Sequence, residues 1–150
     1  MTQALIPAVA PPVRRVLAGL DAIPYWLIAL IARAATCTVF LSSGTEKLAD
    51  WSATLALFEN EYKVPLLPPH PAAYFATTVE ISCALLVMAG LFTRFAVFML
   101  IGMTAVIEVF VYPMAWPTHI QWLAFMFIIL ARGPGKVSLD ALIGPRLVGR

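Results

Sequence analysis

The sequence predicts an all-α membrane protein, a bundle of four transmembrane helices with an external amphipathic helix between spans one and two. The chain has 150 residues, of which 61% are hydrophobic and 12% charged, and its mean hydropathy is +0.89. Soluble domains are roughly half apolar and a quarter charged. The apolar residues also group into four long segments, and the basic residues divide unequally between the loops. This length leaves room for one bundle.

Each apolar segment is assigned to one span. The predicted spans cover residues 24–43, 72–91, 95–112 and 118–132. A span needs about 20 apolar residues, with a range of roughly 17 to 25. The fourth segment is shorter, so we expect bilayer thinning or packing to complete it. The predicted domains are a Pro-rich cytoplasmic segment (1–22), a membrane domain (23–142) and a cytoplasmic tail (143–150).

The basic residues predict the orientation of the bundle. With four spans, both termini lie on one side of the membrane. That side holds seven Lys or Arg residues and the opposite side holds two, and an excess of such residues marks cytoplasmic loops. We therefore expect both termini in the cytoplasm. The seven are Arg14, Arg15, Arg94, Arg132, Lys136, Arg146 and Arg150, and the two are Lys47 and Lys63.

The connection between spans one and two contains the amphipathic helix. Its apolar residues recur at spacings of three and four, which is the period of one helical face. They are Leu48, Trp51, Leu55, Phe58 and Tyr62. We expect this helix to lie on the outer membrane surface or to cap the bundle.

Apart from Arg132, the last residue of span four, three charged residues fall inside the predicted spans: Arg33, Glu80 and Glu108. A charge near the bilayer centre costs about 2.5 to 3.5 kcal/mol on insertion scales, so such groups face inward and find partners. At 1.5 Å per residue, Arg33 lies ~13 Å from the cytoplasmic end of its span and Glu80 ~12 Å from the outer end. We therefore predict an ion pair between Arg33 and Glu80.

The outer half of the bundle collects further polar residues. Glu108 is expected near the outer end of span three, and His119 and Trp122 begin span four on that side. Together with Arg33 and Glu80, they predict a polar ligand-binding pocket that opens outward. The catalytic residues are not assigned, and Glu80 and Glu108 are the candidates. The alternative is that Arg33 and Glu80 form a structural clamp only.

Several site classes find no support in the sequence. There is no zinc-ligand spacing, and His70 and His119 are not placed to bind haem inside the bundle. We expect no metal site, no built-in cofactor and no binding to nucleic acid. Cys37 and Cys83 differ by ~7 Å in estimated depth, which disfavours a disulfide. Whether they are redox active stays open.

The order of short motifs around the four spans resembles the DoxX family of small bacterial membrane proteins. SSGTEKL ends span one, Glu80 lies within span two, GLFTR joins spans two and three, and RGPGKVSLD follows span four. The resemblance covers about residues 28–142. Its motif residues are Gly44, Lys47, Gly90, Arg94, Gly133, Gly135 and Asp140.

The resemblance implies a four-helix bundle in the bacterial inner membrane. The family is similar to the membrane subunit of thiosulfate–quinone oxidoreductases, and other relatives are linked with oxidant defence and sulfur metabolism. It implies a component of a redox system, with a quinone or a similar lipophilic redox molecule as the ligand in the outer pocket and a partner protein or redox subunit for the electrons. The alternative is a non-enzymatic anchoring, assembly or small-solute export subunit. Whether the chain is an oxidoreductase subunit, and whether copies associate into a homo-oligomer, stays open.

Overall fold

The computed structural model describes residues 11–62, 64–65 and 67–147. All regular structure in this part of the chain is helical. The first ten residues of the predicted N-terminal segment and residues 148–150 of the predicted tail lie outside the described residues. The helices are α1 (Pro11–Asp21), α2 (Tyr25–Ala49), α3 (Trp51–Leu57), α4 (Pro69–Ala89), α5 (Thr93–Val106), α6 (Trp116–Arg132) and α7 (Leu139–Leu147).

Four helical stretches are long and apolar enough to cross a membrane. They are Tyr25–Ala49, Pro69–Ala89, Thr93–Val111 and Pro113–Arg132. The four-span membrane fold is therefore confirmed. Two predicted bounds were wrong, because span one continues to Ala49 and span four begins at Pro113.

The fourth span reaches full length because a 3₁₀ turn, Pro113–Ala115, runs directly into α6. Proline is tolerated in the first turn of a helix, where its missing N–H has no partner to lose. The stretch has 20 residues, which spans about 30 Å. Of the two expectations for this span, bilayer thinning is therefore unnecessary, while packing against α2 and α5 is observed.

The four spans form a ring in which each packs on two neighbours. The pairs in contact are α2 with α4, α4 with α5, α5 with α6, and α6 with α2, and the first pair is the most extensive. Gly44 permits that close packing, since a Cβ atom there would lie 2.5 Å from Cγ1 of Ile81. Small residues allow such approach between membrane helices.

A capping unit made of α3 and the π-helical segment Phe58–Tyr62 covers the end of the bundle opposite α1 and α7, here called the distal end. The Asp50 carboxylate begins α3 by accepting a hydrogen bond from Ala53 N–H at 2.9 Å, and this bond lowers the pKa of Asp50. Phe58 is buried against Ala72 and Ala73 of α4. The amphipathic segment therefore packs on the bundle, which is one of its two expected positions.

Helices α1 and α7 lie at the other end of the bundle, here called the terminal end. There α1 exposes Val13, Val16, Leu17 and Leu20 at helical spacing, each about half accessible or more. Arg14 and Arg15 stand between these apolar residues in the sequence. Such a pattern is typical of a helix in the plane of a membrane interface.

Candidate functional site

A cavity of about 660 Å³ lies in the distal half of the bundle. Its walls are mostly apolar side chains from α2, α4, α5 and α6, and the capping unit closes it from above. Four polar side chains reach it among these walls: Ser43, Lys47, Glu80 and His119. Glu80, His119 and Trp122 of the predicted ligand set therefore lie together.

One polar group in this cavity is an ion pair between α2 and α4. The Nζ atom of Lys47 lies 2.9 Å from Oε2 and 3.0 Å from Oε1 of Glu80. It also donates to the Ser43 hydroxyl at 2.7 Å, which in turn donates to Glu80 at 3.2 Å. The Glu80 side chain is 4% exposed and that of Lys47 is 16% exposed. Both charges are thus matched within the bundle.

A second acid–base pair stands on the opposite wall. Nδ1 of His119, on α6, lies 2.5 Å from Oε2 of Glu108. His119 lines the cavity and is buried, while Glu108 stands behind it, about 20% exposed. Trp122 packs on the imidazole with ring centroids 4.8 Å apart. Such a pair can hold one proton between a carboxylate and an imidazole next to the cavity.

Two π-helical segments meet at the mouth of the cavity, Phe58–Tyr62 in the capping unit and Ile107–Val111 at the end of the third span. Tyr62 and Tyr112 pack edge to face with centroids 5.7 Å apart. The Tyr112 hydroxyl donates to Oε1 of Glu61 at 2.6 Å, and this bond raises the pKa of Tyr112. π-Helical turns are rare and frequently occur at functional sites.

Arg33 does not reach Glu80, and the predicted Arg33–Glu80 ion pair is wrong. Its guanidinium lies towards the terminal end, where Nε donates to Val87 O at 2.8 Å and Nη2 donates to Met88 O. Nη1 donates to Val137 O at 2.5 Å. Arg33 therefore donates to carbonyls in the last turn of α4, where a helix offers fewer backbone partners, and it is not among the cavity residues.

The error came from the depth estimate. Gly44 faces Glu80 and Ile81 across the α2–α4 interface. Arg33 precedes Gly44 by eleven residues and so lies ~16 Å lower along α2. The predicted span one ends at residue 43 and places Lys47 outside the bundle, whereas α2 continues to Ala49. Lys47 shares a helical face with Arg33, and the offset between α2 and α4 brings Lys47 to Glu80.

Two predicted motif residues, Gly90 and Asp140, lie close to Arg33 at the terminal end. Gly90 ends α4 with a φ of 70°, and a Cβ atom there would lie 2.5 Å from Ser138 and 2.9 Å from Nη2 of Arg33. Only glycine fits this position without strain. The Asp140 carboxylate accepts bonds from Phe92 N–H, Thr93 N–H and the Thr93 hydroxyl at 2.7 to 3.0 Å. Asp140 therefore caps α5 from a distant part of the chain, a contact that sequence reasoning missed.

The remaining motif and thiol residues lie apart from the cavity. Gly133 and Gly135 both have a φ of 82° in the segment after α6, and Arg94 is exposed beside them. Cys37 and Cys83 are buried, free thiols in the bundle core. Their redox activity stays untested.

The fold and the cavity define a multi-pass membrane protein with an internal polar site. A DoxX family model matches residues 28–113, more than half of the chain, so the chain belongs to the DoxX family. No curated protein and no solved structure matches it. The matched range contains Gly44, Lys47, Gly90 and Arg94. The motif residues after span four lie beyond it, and their assignment to a family motif stays a prediction.

Proposed function

We propose that this DoxX protein is the membrane component of a redox system and binds a quinone, or a similar lipophilic redox molecule, in the distal cavity. The observation that carries the proposal is the cavity itself. Its volume of about 660 Å³ falls within the roughly 300 to 1,000 Å³ of small-molecule sites. Its walls combine apolar surface with a few convergent polar groups, which suits a ligand with a polar ring and an apolar tail.

The walls of the cavity supply a path from the bilayer. Phe75 of α4 and Phe98 of α5 line it, yet they are 54% and 64% exposed on the lipid-facing side of the bundle. A cavity bounded by such residues is accessible sideways, between α4 and α5. This supports a ligand that is dissolved in the membrane.

The polar residues of the cavity have distinct roles in the proposal. His119 is the donor that binds a ring oxygen, through the imidazole nitrogen that does not contact Glu108, and Trp122 packs on the ring. Reduction of a quinone to a quinol takes up two electrons and two protons. Glu80 and the Glu108–His119 pair hold protons, and a partner protein delivers the electrons, since the proposal gives this chain no redox cofactor of its own.

The proposal places the protein in the bacterial inner membrane with both termini in the cytoplasm. The basic residues Arg94, Arg132 and Lys136 stand at the terminal end, which supports that orientation. The distal cavity then opens in the outer half of the membrane.

A binding titration tests the proposal. Full-length protein in nanodiscs is titrated with a short-chain ubiquinone, and quenching of tryptophan fluorescence reports occupancy, since Trp122 lines the cavity. We expect saturable binding that weakens at least about tenfold in His119→Gln, the loss of one or two good hydrogen bonds. His70→Gln is the matched control, because His70 pairs with Glu59 at 2.8 Å on the exposed capping unit.

The alternative function gives a different result in the same experiment. A non-enzymatic anchoring, assembly or export subunit has no need to bind quinones. Absence of saturable quenching in several lipid compositions, or equal weakening by His119→Gln and His70→Gln, contradicts quinone binding and favours the alternative.

A further inference from the structure

A second, open groove of about 920 Å³ lies at the terminal end of the bundle, separate from the distal cavity. It is bounded by the first turns of α2 and α5 and by the segment that follows α6. Arg132, the last residue of α6, also lines it. The proposed function does not use this groove.

The groove is positively charged. Arg94, Arg132 and Lys136 line it, and all three are exposed. Its one lining carboxylate, Asp140, is already bonded to the start of α5. In the described part of the chain, none of the three cations forms an ion pair with a carboxylate. The groove therefore presents unneutralised positive charge, with the Arg132 guanidinium held 4.3 Å above the Tyr25 ring.

Exposed aromatic residues form the other part of the groove. Phe92, Phe95 and Trp26 line it and are 65%, 63% and 39% exposed. Phe92 adopts a left-handed backbone conformation with a φ of 46°, which is strained for a residue with a side chain. The Asp140 carboxylate holds it there by accepting its N–H. Trp26 and Phe95 lie in the first turns of α2 and α5, and Phe92 directly precedes α5.

We propose that this groove binds the headgroup of an anionic phospholipid, with its phosphate against Arg94 and Lys136 and its acyl chains along Phe95 and Trp26. Basic pockets between membrane helices select anionic headgroups through charge. The aromatic half of the groove lies where an acyl chain begins. A free phosphate ion would use the cations alone, so the aromatic wall favours the lipid.

Native mass spectrometry of the delipidated full-length protein tests the proposal. We expect one tightly bound phosphatidylglycerol and no equivalent binding of phosphatidylcholine. The double variant Arg94→Gln/Lys136→Gln should bind phosphatidylglycerol about 25-fold more weakly, at roughly fivefold for each cation near an anionic headgroup. The matched control is Arg14→Gln/Arg15→Gln, which removes the same charge from α1 and should stay within about twofold of the wild type.

Three results would overturn the proposal. One is equal weakening by the two double variants, which would indicate a general surface charge effect. Another is equal binding of phosphatidylcholine. The third is displacement of phosphatidylglycerol by inorganic phosphate at matched concentration, which would indicate a soluble anion site.

A second measurement tests the proposal even if the Arg94→Gln/Lys136→Gln variant does not fold. In the wild type, phosphatidylglycerol binding should weaken as salt is raised from about 0.01 to 1 M, because screening acts on exposed charges. The charge-preserving variant Arg94→Lys/Lys136→Arg should retain binding within about threefold. Affinity that does not change with salt contradicts the proposal.

Discussion

The Lys47 ammonium lies 2.9 Å from the Glu80 carboxylate inside the bundle, although the two residues are 33 positions apart. The pair joins α2 to α4 next to the cavity. An isolated charge at this depth would be costly in a membrane. The contact therefore neutralises two buried groups and leaves a polar floor in an otherwise apolar cavity.

Removing one partner of this pair should destabilise the bundle more than removing both. Lys47→Met leaves the Glu80 carboxylate buried without its cation, a change that typically costs about 3 to 5 kcal/mol. Lys47→Met/Glu80→Leu replaces both groups by apolar ones and should recover most of that loss. Unfolding in mixed micelles measures both variants. His70→Gln breaks an exposed pair and should cost less than about 1 kcal/mol, so an equal loss in Lys47→Met would contradict this account.

Arg33→Met should destabilise the terminal end and spare the cavity. It removes bonds to carbonyls at the end of α4 and to Val137, and a bond from a charged donor contributes about 1.5 to 3 kcal/mol. Arg33→Lys should recover only part of the loss, because an ammonium cannot replace the planar donor set. Thermal denaturation measures the stability. Arg15→Met on exposed α1 is the control, and weaker quinone binding by folded Arg33→Met protein would assign Arg33 to the ligand site after all.

The bond between Tyr112 and Glu61 should depend on pH in a defined direction. The carboxylate raises the pKa of Tyr112 above its usual value of 10.0. The stabilisation is therefore complete below about pH 10 and is lost as the pH rises through the folded-state pKa. Glu61→Gln should lower the pH at which phenolate absorbance appears. Glu59→Gln, which alters a carboxylate bonded to His70 instead, should leave the titration unchanged, and identical curves for Glu61→Gln and the wild type would contradict the role of Glu61.

Asp140→Ala should loosen the start of α5. Loss of a capping side chain typically costs about 0.5 to 2 kcal/mol, and here the carboxylate accepts from Phe92, Thr93 and the Thr93 hydroxyl. Asp140→Asn keeps an acceptor oxygen and should lose less. Hydrogen exchange in the first turn of α5 measures the local effect. Asp21→Ala, at the exposed end of α1, is the control and should leave exchange in α5 unchanged. Wild-type exchange rates in the first turn of α5 in Asp140→Ala would refute the capping role.

The sequence was sufficient to predict elements that depend on local pattern. Hydropathy placed the four spans, and the spacing of Trp51, Leu55 and Phe58 placed the capping unit. Which charged residues form a pair depends instead on the axial offset between neighbouring helices. Because α4 extends beyond α2 and is covered there by Phe58, Glu80 stands level with Gly44 rather than with Arg33. No local pattern encodes that offset.

The polar residues of the distal half were predicted as a group, while their pairing was not. Glu108 and His119 stand on either side of the connection between the last two spans, so their proximity had a signal in the sequence. Thr93 N–H donates a hydrogen bond to Asp140, which is 47 positions away in the sequence. This bond joins two segments that meet only in the folded protein. Contacts of that kind follow from the ring arrangement of the spans.

The close approach of α2 to α4 at Gly44 links the distance between these helices to the Lys47–Glu80 ion pair of the cavity. An alanine methyl group at this position would have to displace Ile81, and it would stand 3.4 Å from Cβ of Glu80. Lys47 lies one turn further along the same face of α2. An uncharged substitution at Gly44 would thus push the Glu80 carboxylate and the Lys47 ammonium apart. It would change the local electric field although neither residue of the ion pair is altered.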